Sequence, residues 1–553
     1  MTIRILLFFI CLIGLPLRAQ NINLNGYISD DAWWHYRHVK EVVDFGRRAN
    51  PDVYEFATLN RPMTYPPFFH YLAAFSYKVF GKGLPLIQFT HYFNILEALL
   101  YILLVYWIAR VISGDKFFSL IGALAASVSY GFIIRARAGE LMPFVPADLL
   151  ALAGIFILLR FLADPADKKA PLLCAASGAL MGLSFLSWSG TIFVYAPLLL
   201  CAFIALFLSN PQLKRSVFKL FCVSLFSFLV VSLPWYLPCV LKYGINPHSK
   251  EMEWFMKGFT VLHQVKPLGF YIFTSGPAVF FVPVVFLTSL FKRDAVNLFL
   301  SFWIVSGLIA TYIGWRGYVA VMPVISAVCL GVGLPRMIYF FFRRGSKYLA
   351  AVFGIIFLAV GITGYHISDI RMSPLDPKNP DEVRTNEKSM HMLEFLKSNY
   401  AQAVAIDHIM WLSEDEAVGS LRMINGQYLE YLPAGASEVF KDVSRFYLAD
   451  EEAAYNICRK YSVGLVIVRR HILQLPQLNI LFGSPGLRLD EYLTVAKESP
   501  ASPEMTINFT AKGMQSMLYR MLNRQQMEKF ELIYADFAPG DPLPFAVVYK
   551  MRQ

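Results

Sequence analysis

Ile95-Leu96-Glu97-Ala98-Leu99-Leu100-Tyr101-Ile102-Leu103-Leu104-Val105-Tyr106-Trp107-Ile108-Ala109-Arg110 decides the class of this fold. Taken from residue 87, the run falls within the roughly 17 to 25 residues a helix needs to cross a hydrocarbon core, and it ends on a cation. Similar runs lie on both sides of it. Hydropathy gives about eleven candidate spans, at roughly 4–19, 87–110, 117–134, 144–163, 171–187, 190–208, 217–240, 268–291, 296–314, 318–340 and 347–367. The expected fold class is therefore mainly α, a polytopic transmembrane helical bundle of about 11 to 13 spans, followed by a C-terminal extracytoplasmic α/β domain.

Composition agrees, since 56% of the 553 residues are hydrophobic and 16% are charged, far from a soluble average. The net charge of +11 does not point to nucleic acid, because the cations sit between apolar runs and form no patch with interleaved aromatics. Cys11, Cys174, Cys201, Cys222, Cys239 and Cys329 fall in apolar segments and leave Cys458 alone in the polar region. No disulfide framework or metal-ligand spacing follows from that pattern.

Charge sets the orientation. With Arg4 inside, alternate loops carry Arg110 and Lys116, then Arg160, Lys168 and Lys169, then Lys214, Arg215 and Lys219, then Lys292 and Arg293, then Arg336, Arg343, Arg344 and Lys347. One register makes all of these cytoplasmic. Loop 20–86, loop 135–143, loop 241–267, the turn at Trp315-Arg316-Gly317 and everything after about residue 368 then lie outside. The lysines of loop 241–267 go against the rule locally, alongside Glu251 and Glu253. Arg4, the short apolar run and Leu17-Arg18-Ala19-Gln20 also fit a cleavable signal peptide, and the next loop is outside in either case.

The chain divides into a membrane domain, 1–370, a linker, 371–386, and a soluble α/β domain, 387–553, because Ser373-Pro374-Leu375-Asp376-Pro377-Lys378-Asn379-Pro380 cannot continue a helix. The tail reads as helices over 387–399, 450–461 and 511–524 and strands over 402–407 and 463–469. Two further strands, 529–536 and 544–550, are joined by a turn at Pro539-Gly540-Asp541.

Chemistry concentrates in the external loops. The first opens with Asp30-Asp31-Ala32-Trp33-Trp34-His35-Tyr36-Arg37 and later reads Met63-Thr64-Tyr65-Pro66-Pro67. Carboxylates beside aromatics suit a sugar or phosphate site, while an interfacial aromatic belt accounts for the rings equally well. The second loop holds Arg135-Ala136-Arg137-Ala138-Gly139-Glu140, and Asp148 stands a few residues into the next span, where an ionisable group needs a partner, water or a role. Arg316 lies on the same outer face, where a guanidinium pairs with a lipid phosphate or simply snorkels.

These residues and the topology resemble the catalytic subunit of oligosaccharyltransferase, a membrane glycosyltransferase family of the GT-C type. The resemblance is densest at Asp31, Trp33, Trp34, His35, Tyr36 and Arg37 and continues through Tyr65-Pro66-Pro67, Glu140, Arg316-Gly317-Tyr318 and the tail at Ser516–Leu522 and Phe530–Tyr534. It implies Asp31 and Glu140 as catalytic acids and candidate ligands of Mg2+ or Mn2+, with Arg316 and Arg37 on the donor phosphate. Trp33, Trp34, His35, Tyr36 and Tyr65 would contact sugar or acceptor. It further implies a lipid-linked sugar donor, an extracytoplasmic protein or glycan acceptor, surrounding membrane lipids and no nucleic acid.

The sequence departs from the family in places. The Trp-Trp-Asp-Tyr-Gly motif that reads an Asn-X-Ser/Thr acceptor is replaced by Ala405-Ile406-Asp407-His408-Ile409-Met410-Trp411, and the late-loop glutamate by Thr260-Val261-Leu262-His263-Gln264. Transfer of a sugar or oligosaccharide from a polyprenyl phosphate or pyrophosphate carrier is the leading expectation. A polyprenyl-phosphate-monosaccharide transferase acting on a lipid, glycan or protein hydroxyl stays open beside it, as do a transporter or flippase and a non-catalytic scaffold.

Overall fold

The computed structural model describes residues 2–59, 61–209, 212, 214–243, 272, 274–312, 321–342, 347–372, 387–408, 411–426, 432–473, 478, 488–497, 505–536 and 543–552. The chain folds as two compact units, a helical unit of Met1–Gly26, Pro66–Leu241 and His263–Asp376, and a sheet unit of Tyr27–Tyr65, Lys242–Leu262 and Pro377–Gln553.

In the helical unit, six helices among the described residues are long and apolar enough to cross a membrane: Thr2–Ala19, Leu86–Ser113, Phe144–Ala163, Ala170–Ser187, Arg215–Tyr243 and Met322–Phe340. Shorter apolar helices follow the other expected runs, at Lys116–Val128, Pro197–Ser209, Gly276–Lys292, Ala295–Thr311 and Ala351–Thr363. The protein is therefore a membrane protein built on a helical bundle.

Runs expected to be continuous are broken within this unit, 190–208 at Tyr195, between the helices Thr191–Val194 and Ala196–Ser209, and 117–134 as well. The expected span 117–134 stops at Ser129, whose backbone is extended at ψ 126°, and a short helix Tyr130–Ile133 follows. The Ser129 hydroxyl donates to the Thr274 carbonyl at 2.7 Å, a tertiary bond that hydropathy does not encode. Arg18 is buried and donates to the carbonyls of Gly14, Ser127 and Ala126, so the first helix is tied to Lys116–Val128 by its guanidinium.

In the sheet unit, β1 (Val404–Ile406), β2 (Arg422–Met423), β3 (Leu465–Arg469), β6 (Phe530–Asp536) and β7 (Ala546–Met551) form a five-stranded sheet in the order β2-β1-β3-β7-β6. A separate hairpin pairs β4 (Leu493–Lys497) with β5 (Met505–Phe509). The strands β2, β1 and β3 run parallel, and β7 and β6 are antiparallel.

Every residue of β3 is buried, as its unbroken apolar run requires of a strand covered on both faces. The pleat sends Leu465 and Ile467 to one core with Ala546 and Val548, and Val466 and Val468 to the other with Val547 and Tyr549. The helix expected over 511–524 is instead a turn of 3-10 helix at Gly513–Gln515 and a helix Met517–Leu522. Ser516 interrupts it by capping Tyr519 N–H with its side chain. The expected turn at 539–541 and most of the linker lie outside the described residues.

The long loop 20–86 is more ordered than its sequence reading, and part of it belongs to the sheet unit. Asp30–Phe45 is a helix with Ser29 as N-cap and Gly46 closing it at φ 76°. Past this helix the chain runs along the edge strand β2: Met423 N–H donates to Tyr54 O at 2.6 Å and Ala57 N–H to Met423 O at 2.9 Å. Phe56 enters the core beside Leu393 and Ile467. A loop segment laid on an exposed sheet edge satisfies backbone groups that water would otherwise have to solvate.

Candidate active site

Helix geometry separates two adjacent acids, because successive residues point about 100° apart. Asp30 is buried and its carboxylate accepts from Glu414 N–H at 3.3 Å, so it fastens the first-loop helix to the helix Leu412–Ala417. Asp31 is half-buried, in the first turn of the same helix.

Beneath them the aromatics are packed. Trp33 lies edge-on to Tyr27 at 5.0 Å and Tyr36 at 5.8 Å. Trp34 meets His35, His38 and Tyr65 at 5.0, 4.1 and 5.1 Å between ring centroids. Both indoles are 1% exposed, and Trp34 clusters with Met63 and Tyr65. Burial, with His38 and Arg48 nearby, pushes the His35 imidazole well below its ordinary value and keeps the ring neutral.

Arg37 is taken up by carboxylates. It holds Asp52 through both terminal nitrogens at 2.7 and 3.0 Å, Glu41 at 3.1 Å and Glu416 at 3.2 Å. Burial opposes the guanidinium charge, but Asp52, Glu416 and Glu41 outweigh it and raise Arg37 further. Burial likewise works against ionising Glu41, yet His38 and Arg37 bring its carboxyl down to about 2. Glu416 goes the other way, pushed up by burial and by Glu55, Asp52 and Asp30 against the pull of Arg37.

The position where the resemblance expects the sequon reader, just after β1, carries a second buried ionic cluster. Arg469, the last residue of β3, approaches Asp407 at 3.3 Å and Glu414 at 3.3 Å and also binds Asp415. Its guanidinium lies 4.8 Å from the centre of the Trp411 ring. Asp407 and His408 are buried, and Ile409 and Met410 are outside the described residues. Parallel packing of β1 on β3 puts this cluster at the carboxyl ends of adjacent strands, where open α/β sheets gather polar groups.

Burial pushes the Asp407 and Asp415 carboxyls up, and Asp415 raises Asp407 further while Arg469 opposes both shifts. An acid raised in the folded state holds a proton that the unfolded chain releases near pH 4, so its stabilising contribution is full below that pH and fades as pH rises through the native value. Glu41 and Asp52, which are lowered, contribute above about pH 4 and lose that contribution as pH falls toward the native value of Glu41, about 2. Asp407→Asn, a fixed copy of the protonated acid, should flatten the decline in stability as pH rises above the ordinary carboxyl value of about 4. Thermal melts of the full chain in detergent above that pH test it, and an unchanged slope would show that Asp407 does not titrate there.

In the helical unit, Glu140 is buried in a loop shaped by its neighbours. Gly139 sits at φ 85°, a left-handed conformation that favours glycine. Asn94 donates to the carbonyls of Arg137 at 2.8 Å and Glu140 at 3.1 Å, and Arg137 approaches the Glu140 carboxylate at 3.9 Å. Asp148 has its partner in Arg135, at 3.3 Å, and that guanidinium also covers the Phe144 ring at 4.1 Å.

Arg316, residues 260–264, Glu251 and Glu253 lie outside the described residues. Asp31 belongs to the sheet unit and Glu140 to the helical unit. Among the described residues no three His, Cys, Asp or Glu side chains form a group that could hold a metal ion. The six or so oxygen ligands that a hard cation such as Mg2+ or Mn2+ wants are thus not assembled by them. Asp52, Glu414, Asp415, Glu416 and Arg469 are charged residues that sequence reading passed over, and Asp30 was quoted there without a role. The Ser29-Asp30-Asp31 start and Gly46 stop were legible as a helix carrying Asp30, Arg37 and Glu41 on one face.

Residues 6–246 match the family model described as oligosaccharyl transferase STT3, N-terminal. Over 217 residues the chain is 30% identical to the dolichyl-phosphooligosaccharide-protein glycotransferase 2 of Archaeoglobus fulgidus, covering 38% of this chain and 34% of that relative. The matched stretch thus spans about a third of the relative's length.

The fold matches solved structures far more widely. The archaeal oligosaccharyltransferase AglB from A. fulgidus, in complex with an inhibitory peptide and a dolichol-phosphate, superposes with a TM-score of 0.71 at 15% identity, over 97% of this chain and 80% of that one. The A. fulgidus oligosaccharyltransferase complex with Zn and sulfate gives a TM-score of 0.72 at 16% identity, over 96% and 78%. In the sequence of its amino-terminal part and in the fold of nearly all its length, this chain is oligosaccharyltransferase catalytic subunit-like.

Proposed function

We propose that this protein is a GT-C glycosyltransferase that moves an oligosaccharide from a polyprenyl phosphate or pyrophosphate carrier to a peptide acceptor outside the cytoplasm. The observation that carries this reading is that the family match over residues 6–246 contains both acid-bearing loops, with Asp31 in one and Glu140 in the other. A lipid carrier explains the membrane bundle, because its tail stays in hydrocarbon while its headgroup reacts at the surface. The outward orientation of the C-terminal domain rests on the alternation of cationic loops. The division at the proline-rich stretch 373–380 goes with it.

In this reading Asp31 orients the acceptor nitrogen and receives its proton. The nitrogen bonds the anomeric carbon, and the carrier phosphate departs with the electrons of the broken bond. Glu140 is the second acid, and Asp31 and Glu140 are the residues that would each offer a carboxylate oxygen to Mg2+ or Mn2+, which would supply Lewis-acid help to the departing phosphate. Arg316 neutralises the leaving phosphate. Arg37 is assigned a bracing role instead, since three carboxylates already hold it. Trp33, Trp34 and His35, each 1% exposed, are assigned to packing, leaving Tyr36 and Tyr65, each 9% exposed, for sugar or acceptor.

Membranes containing the protein, incubated with a labelled lipid-linked oligosaccharide and an Asn-X-Thr peptide, should yield labelled peptide, abolished when Asn is replaced by Gln. Label appearing on a hydroxyl acceptor instead would favour the monosaccharide-transferase alternative. Label crossing sealed vesicles without covalent transfer would favour a transporter.

A further inference from the structure

The helical unit carries a second polar site, at the end of the bundle away from Glu140. The helix Leu86–Ser113 is the ruler: Asn94 holds the Glu140 loop near its start, and Ser113 ends it nineteen residues later. At 1.5 Å per residue that is roughly 28 Å, close to the ~30 Å of a hydrocarbon core. Beside Ser113, between this helix and the helices Phe281–Lys292 and Met322–Phe342, opens a cavity of about 830 Å³. Ile112, Val332 and Pro335 give it an apolar wall, and Lys292, Arg336 and Tyr339 its polar rim.

Two cations, Lys292 and Arg336, reach the cavity, with Asp294 within electrostatic range of Arg336 but not lining it. Arg336 is aimed by neutral acceptors, Thr288 Oγ1 at 2.9 Å, Ser289 Oγ at 2.8 Å and the Asn297 side-chain oxygen. The neighbouring acids are spent on local capping. Asp294 accepts from Asn297 N–H at 3.0 Å and from its side-chain amide at 2.6 Å. Asp115 caps the N–H groups of Phe117 and Phe118 at 2.7 and 3.1 Å. Among the described residues no acid lines the cavity. Tyr339 and Phe340 beside it are 72% and 78% exposed, as expected of side chains that settle at a membrane interface.

We propose that this cavity binds the phosphate headgroup of an anionic phospholipid, in the leaflet opposite the one that the Glu140 loop faces. Arg336 and Lys292 take the phosphate, a planar fork and a point charge respectively. The apolar wall takes the upper acyl chains, and the volume lies within the range of small-molecule sites. By the loop charges this is the cytoplasmic leaflet, which is why the site is distinct from any donor site at the outer surface. The proposal rests on membrane insertion and not on sugar transfer. A protein that failed to transfer glycan but kept its lipid would sink the enzymatic reading alone.

Native mass spectrometry of the full-length protein, exposed in turn to phosphatidylglycerol and phosphatidylcholine, tests it. The expected result is one phosphatidylglycerol retained per chain, with at least about tenfold preference, the worth of one charge-assisted contact. Lys292→Gln and Arg336→Gln should each remove that preference. Lys292 is exposed, so its substitution stays interpretable if the Arg336 variant fails to fold. Equal retention of the two lipids, undiminished retention in Lys292→Gln, or displacement of the lipid by inorganic phosphate would overturn the proposal.

Discussion

Replacing Asp31 by Asn is expected to lower glycan transfer by about 10²- to 10⁴-fold, the range a positioned acid or base supplies, while costing less thermal stability than the same change at the buried Asp30. The expectation comes from the division of labour at the start of the first-loop helix. Ser29 caps the helix and Asp30 holds Glu414 N–H, so neither structural task falls to Asp31. Asn at 31 gives up, among other things, a negative charge near a helix N-terminus, worth about 0.3–1 kcal/mol at most surface sites.

Asp30→Asn should show the opposite pattern, a lower melting temperature and a smaller loss of transfer per surviving molecule. Initial rates with labelled lipid-linked donor, set beside melts of the same preparations, distinguish the two. Wild-type rates from Asp31→Asn would remove the central residue of the proposed mechanism.

Replacing Arg469 by Met should cost about 3–5 kcal/mol of stability, the usual penalty for removing one partner of a buried ion pair. The methionine fills much of the volume and loses the charge, so Asp407, Glu414 and Asp415 would face one another without their cation where none is more than 1% exposed. Adding Asp407→Asn, Glu414→Gln and Asp415→Asn to Arg469→Met should recover a sizeable part of the loss, because buried charges that are all neutralised together cost less than charges left unmatched. Denaturation followed by tryptophan fluorescence suits the measurement, since Trp411 lies on the Arg469 guanidinium. A loss below about 1 kcal/mol, the scale of an exposed pair, would show that water reaches the cluster.

Some of this was legible residue by residue. The candidate spans became helices because spanning a membrane leaves the backbone no partner but itself, so length and hydropathy suffice. The buried strand at Leu465–Arg469 and the closing pair of strands were readable from apolar runs and turn residues for a similar reason. The acids Asp31 and Glu140 stood out because charge is scarce beside spans. The first-loop helix went unread although Ser29, Asp30 and Gly46 mark both its ends, because the aromatic cluster drew attention toward a binding surface.

What the sequence by itself determined is therefore whatever follows from local spacing: the membrane class, the run of helices, the alternation of charged loops and the presence of two acid-bearing loop segments. Only the tertiary structure decided which charges are spent on holding the protein together. Arg37 meets Glu416 across 379 positions and Asp30 meets Glu414 across 384, and no local pattern records such a pairing. The physical reason is that burial sets the role of a charge: a guanidinium in water is free to bind phosphate, whereas one enclosed by three carboxylates is already paired.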